Sequence, residues 1–225
     1  QLSGTAEGDM LSGYSRLARV IQLWARWEIA NGEYEGAILA MQTGFGMTRH
    51  LGQVPISGAR QFAGRIGQDL CGEVEGLVQI EDAPNLSLAL AKLSGLMGDI
   101  EKVLEDDKKR AISELSGKFS SKQIEDGIKM THGQVRAYAK GYETHLAALQ
   151  CVEAIRSYAA SLKGKLPAAL ADITEVSVPK DPTADGPFRY TLSGSTAVLE
   201  FSLPAGMRDS EVTMESVRYE ISIRK

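Results

Sequence analysis

The strongest constraint in this sequence is an unbroken apolar stripe. Val135, Tyr138, Tyr142, Leu146, Leu149, Val152, Ile155, Tyr158 and Leu162 step by three or four residues. That spacing puts them on one face of an α-helix about eight turns long. Thr131-x-x-Gln134 has capping-box form and predicts the helix start. Lys163-Gly164 supplies a C-terminal cation and a left-handed cap. A helix of this length can join two bodies. Its first half is expected to pack on the preceding helices, through Val135, Tyr138 and Tyr142. Its second half is expected to pack on the C-terminal part of the chain, through Val152, Ile155, Tyr158 and Leu162.

Beyond the helix the period changes. Pro167 suits the first turn of a short helix, because its missing N–H would be unpaired there anyway, and Leu170 and Ile173 can face the long helix. Then Phe188, Tyr190 and Leu192 alternate, Ser193-Gly194-Ser195 turns, and Ala197, Leu199, Phe201 and Leu203 alternate. Pro204-Ala205-Gly206 breaks the pattern before Val217, Tyr219, Ile221 and Ile223 alternate again. A period of two predicts three short strands with one apolar face, found only after Pro182. Such a face needs a cover, and the long helix is the available one.

Upstream, residues 1–9 are polar and read as a frayed end. Tyr14, Leu17, Ala18, Ile21, Trp24, Ala25 and Ile29 then mark a helix that Asn31-Gly32 stops. Tyr34, Ala37, Ile38, Met41 and Phe45 mark a second. A third is expected over 57–80, with Ala59, Phe62, Ile66, Leu70, Val74 and Leu77 inward. It carries Gly58, Gly64, Gly67, Gly72 and Gly76, of which Gly72-x-x-x-Gly76 could admit a close helix. Asp82-Ala83-Pro84-Asn85 is a break. Short helices are expected over 86–96, 100–115 and 121–129, the last opened by the capping-box form of Ser120 and Gln123. The mixed run Glu105-Asp106-Asp107-Lys108-Lys109-Arg110 reads as a solvated face. The fold class is therefore α+β: a mainly helical region over 1–130, then a long helix with a small antiparallel sheet over 131–225.

Two resemblances attach to these residues. Ala25, Gly32, Tyr34 and Ala37 resemble positions of a tetratricopeptide-type hairpin, although Glu28, Met41 and Arg49 depart from that pattern. Gly164, Leu166, Pro167, Leu170, Pro179, Asp181, Pro182, Gly186, Pro187, Phe188 and Tyr190 resemble the periplasmic module of the major pseudopilin of type II secretion. That family places a long helix before a leucine-proline turn, a D-P-x-G-x-P-[FY]-x-[YF] segment and a small antiparallel sheet. The resemblance implies a bacterial envelope protein outside the cytoplasm, with protein partners there. About 130 residues of helical sequence stand where a pseudopilin has its membrane segment, which argues against a fibre subunit. A chain that begins at Gln1 is expected to have lost a leader, either a secretion signal or an anchor. Pseudopilins also bind calcium in a C-terminal loop. The oxygen-bearing residues here are Asp181, Asp185, Asp209, Ser210 and Glu211, too sparse for the six to eight ligands calcium takes.

No cofactor, metal or catalytic constellation is expected. The formal net charge is −4 with no basic stripe, which argues against nucleic acid. No apolar run nears the roughly 20 residues of a membrane-spanning helix. His50, His132 and His145 are the only histidines. His132 and His145 lie about 20 Å apart on one helix, too far to share an ion, and His50 suits a helix C-terminus. Cys71 and Cys151 read as small buried hydrophobes, with a mutual disulfide as the alternative. Cys151 and His145, six residues apart, point about 120° away from each other on the helical wheel. The expected function is a non-catalytic extracytoplasmic protein presenting a protein-interaction or assembly surface. The alternative is an envelope hydrolase with its site in the cleft between the helical region and the sheet. A pocket with convergent polar groups and perturbed pKa values would favour the enzyme, and a groove lined by exposed apolar residues the binding protein.

Overall fold

The computed structural model describes residues 6–95, 97–184, 186–204 and 215–223. Among the described residues six helices come first: α1 (Ala6–Asn31), α2 (Tyr34–Gln53), α3 (Ser57–Val78), α4 (Ser87–Ala91), α5 (Ile100–Leu115) and α6 (Ser121–Ser161). A 3-10 turn at Leu170–Asp172 leads to β1 (Arg189–Ser193), β2 (Thr196–Leu203) and β3 (Glu215–Ser222). The strands form one antiparallel sheet in the order β1-β2-β3. The chain is thus α+β, and among the described residues every strand lies after Pro182. No described helix is long and apolar enough to cross a membrane.

The long helix is longer than its stripe predicts. It starts at Ser121, where the Ser120 hydroxyl accepts from the Gln123 N–H and the Gln123 side chain accepts from the Ser120 N–H. Thr131 is not a cap. Its hydroxyl donates to the Gly127 carbonyl one turn back, a bond made inside a helix. Ile124 is the only buried residue from Ser121 to Thr131, so no stripe announces that first segment. The division at residue 130 therefore falls within α6. At the other end of the chain, α1 begins at Ala6, so residues 6–9 are helical and not frayed. The expected 86–96 helix is only the short α4, with Leu96 outside the described residues.

α6 also packs differently from a rod with one apolar edge. Tyr142, Leu146 and Leu149 join the core built by α1–α4, while Ala148, Cys151, Ile155 and Ala159 join the core under the sheet. Between Leu146 and Ile155 every residue except Gln150 is buried, so the helix is sandwiched and not edge-on. Its second face is made of small residues that a search for large apolar side chains passes over. Three expected inward residues are on the surface instead, Leu192 at 37% exposure, Leu162 at 44% and Leu17 at 50%.

α3 and α6 approach closely at Gly64 and Gly67. A Cβ on Gly64 would stand 2.9 Å from the Tyr138 carbonyl carbon, and one on Gly67 would stand 2.7 Å from the Tyr142 ring. Gly72 and Gly76 have nothing within 4 Å, so the close contact lies one face away from the expected pair.

The candidate binding cleft

α3, α6 and β3 meet around a cleft of about 550 Å³. The last two turns of α3 bring Glu75 and Val78, and Gln79, Ile80 and Glu81 continue that wall. α6 supplies Leu149, Val152 and Arg156; β3 supplies Arg218 to Ser222, and Ile223 follows just beyond its end. The lining is mixed, with Val78, Leu149 and Val152 among Glu75, Glu81, Arg156, Arg218 and Glu220.

At one end Glu75 ties the three elements together. Its Oε1 accepts from His145 Nε2 at 2.7 Å and from the Tyr219 hydroxyl. Burial alone would raise the Glu75 carboxyl, but the bonds from His145 and Tyr219 outweigh it and hold the group below the usual carboxylate range. The Tyr219 hydroxyl is pushed far up by burial and by the carboxylate it serves, so it stays protonated and donating. His145 Nδ1 is buried without a partner. Because Nε2 faces the carboxylate, the nitrogen left over is sealed away from the cleft. Cys71, one turn before Glu75, is fully buried, and burial plus the neighbouring carboxylates push its thiol far up. A thiol so held is a poor nucleophile.

The other end rests on a buried acid. Glu153 has no exposed surface; its Oε2 accepts from the Leu86 N–H at 2.6 Å and its Oε1 pairs with Arg156. Arg156 also donates to the Ala83 carbonyl at 3.0 Å, and Asn85 donates to the Glu153 carbonyl at 2.9 Å. The 82–86 break is thus bolted to α6 beside Arg156, which lines the cleft.

The other histidines, cysteines and acids do not converge. His50 lies in the last turn of α2, and His132 sits 3.4 Å from Asp107 of α5. Both cysteines are free and buried, Cys71 in the helical core and Cys151 in the core under the sheet, where burial pushes its thiol up to about 12. Asp181 is buried and occupied by its own turn, its Oδ1 accepting from the Thr183 N–H and hydroxyl. Asp185, Asp209, Ser210 and Glu211 lie outside the described residues. No group of three metal-ligating side chains forms among the described residues. Of the expected residues, only His145 belongs to the cleft's polar cluster. Glu75 carries no local signal, because its partners lie 70 and 144 residues away.

A second apolar surface lies on the outer side of α1, where Leu17, Val20, Leu23 and Trp27 are each at least half exposed. Comparison with protein-family models, curated proteins and solved structures found no match.

Proposed function

We propose that this chain is a non-catalytic extracytoplasmic protein that presents a binding surface to a protein partner, with the cleft beside β3 as the contact site. One observation carries the reading: the polar cluster of the cleft is turned to structural use. Glu75 spends its oxygen on His145 and Tyr219, and a carboxylate held below its usual range is a weak base. The free nitrogen of His145 cannot meet a substrate. The apolar outer face of α1 adds a further surface suited to protein contact. Placement in the bacterial envelope rests on the pseudopilin-like residues from Gly164 to Tyr190.

The test is a photo-crosslinking residue at the exposed Glu81 position on the cleft wall, in cells that make the protein. The expected result is one defined protein adduct there and none from Lys129 on the far part of α6. Absence of any Glu81 adduct, together with ester hydrolysis abolished by Glu75→Gln, would replace this reading with the hydrolase.

A further inference from the structure

We propose that the cleft receives a single extended segment of the partner protein, which adds to the sheet as a fourth strand beside β3. The inference deepens the binding function above and rests on it.

β3 is an outer strand. One edge pairs with β2 from Thr196↔Ser222 to Leu203↔Glu215, and among the described residues the other edge pairs with no strand. In an antiparallel ladder every second residue aims its N–H and C=O away from the partner. The outer edge of β3 is therefore a row of main-chain donors and acceptors.

The cleft runs along that row. Six consecutive residues, Arg218 to Ile223, line it. Neighbouring strand side chains point to opposite faces, and here Ile221 is buried under the sheet while Arg218, Glu220 and Ser222 are exposed. What six consecutive residues share is the backbone edge, not a face.

The chemistry of the row selects the occupant. An extended segment carries main-chain donors and acceptors at the spacing of a strand edge, over the roughly 17 Å from Arg218 to Ile223. A helix spends those groups on its own internal bonds and has none to offer the row. The edge of another sheet would meet the wall formed by the end of α3 and residues 79–81.

The form of β3 agrees. Exposed edges are commonly blunted by prolines, bulges or short length. β3 has eight residues without proline and pairs with β2 in unbroken register, whereas β1 at the opposite edge has five. The end of α3 stands across the cleft from this long edge. Val78, Leu149 and Val152 in the lining suit an aliphatic side chain at an inward position of the occupant. Glu81, Arg218 and Glu220 at the mouth carry both signs, so the outward positions are polar without a strong charge preference.

The test pans a phage library of random twelve-residue peptides against the intact chain and synthesises the enriched peptides. Each is made in two further forms, N-methylated on alternate amides along one edge or along the other. The expected result is at least about tenfold weaker binding for one form and little change for the other, since only one edge would lose several hydrogen bonds. Alternate amides of β3 should also gain hydrogen-exchange protection on binding, and Ile80→Trp, which fills the cleft, should abolish binding. Equal binding by both methylated forms, with Ile80→Trp still inhibitory, would refute strand addition and leave the cleft as a binding surface. Binding indifferent to Ile80→Trp would refute both.

Discussion

Two glycines of α3 offer a test in which the same substitution has opposite consequences. Gly64→Ala places a methyl 2.9 Å from the Tyr138 carbonyl carbon and 3.1 Å from its oxygen. Both are backbone atoms, so no rotamer change relieves the contact. α6 would have to retreat by a few tenths of an ångström along its main contact with α3. Gly72→Ala places its methyl in open space on the same helix. Both variants gain about 1 kcal/mol of helix propensity. Their difference therefore isolates the cost of overpacking, about 1–3 kcal/mol. For a chain of this size each kcal/mol shifts the melting temperature by about 2–4 °C. Gly72→Ala should melt above the parent and Gly64→Ala about 2–12 °C below Gly72→Ala. Far-UV circular dichroism during heating, repeated in urea, reads both. Coincident melting curves for the two variants would mean that α3 and α6 do not meet at Gly64.

Ile155→Ala, at a fully buried site of the sheet core, should cost about 2–5 kcal/mol. Because α6 serves both cores, residue-resolved hydrogen exchange should show loss of protection in α1–α3 as well as after Gly164. Loss confined to the sheet would show two independent bodies. Glu153→Ala strands the Arg156 guanidinium and the Leu86 N–H and should cost about 3–5 kcal/mol in urea unfolding. An unchanged midpoint would show that the 82–86 loop is held otherwise. Glu75 titrates below its ordinary value of 4.5 in the folded chain. A depressed carboxylate stabilises above the unfolded value, and that contribution is lost as pH falls through the folded one. Stability between pH 5 and pH 3 should thus fall more steeply in the parent than in Glu75→Gln. Parallel profiles would argue against the clasp to His145 and Tyr219.

Periodicity made much of the architecture legible. The steps of three and four in α2, α3 and most of α6, and the alternation in β1 to β3, are local properties of the chain. That α6 runs unbroken through residue 130 was not legible, because Ser121 to Thr131 buries only Ile124 and Thr131-x-x-Gln134 has the same capping-box form as Ser120-x-x-Gln123. Gly64 and Gly72 look alike in sequence, since which face of α3 meets another helix is settled by packing. The clasp was hidden for the same reason. Glu75 reads as a surface acid between Val74 and Gly76, and Tyr219 as one more inward residue of a strand.

The sequence alone determined the α+β class, the α1–α3 helices, the long spine and the late three-stranded sheet. These arise from side-chain spacing and turn residues, which act within a few positions of each other. Only the tertiary structure decided that α6 is buried on both sides, that Glu75, His145 and Tyr219 share one hydrogen-bonded cluster, and that the free edge of β3 borders a cleft. Those facts depend on contacts between residues tens of positions apart. Their geometry is set by how whole elements stack to bury apolar surface, and no local pattern encodes it.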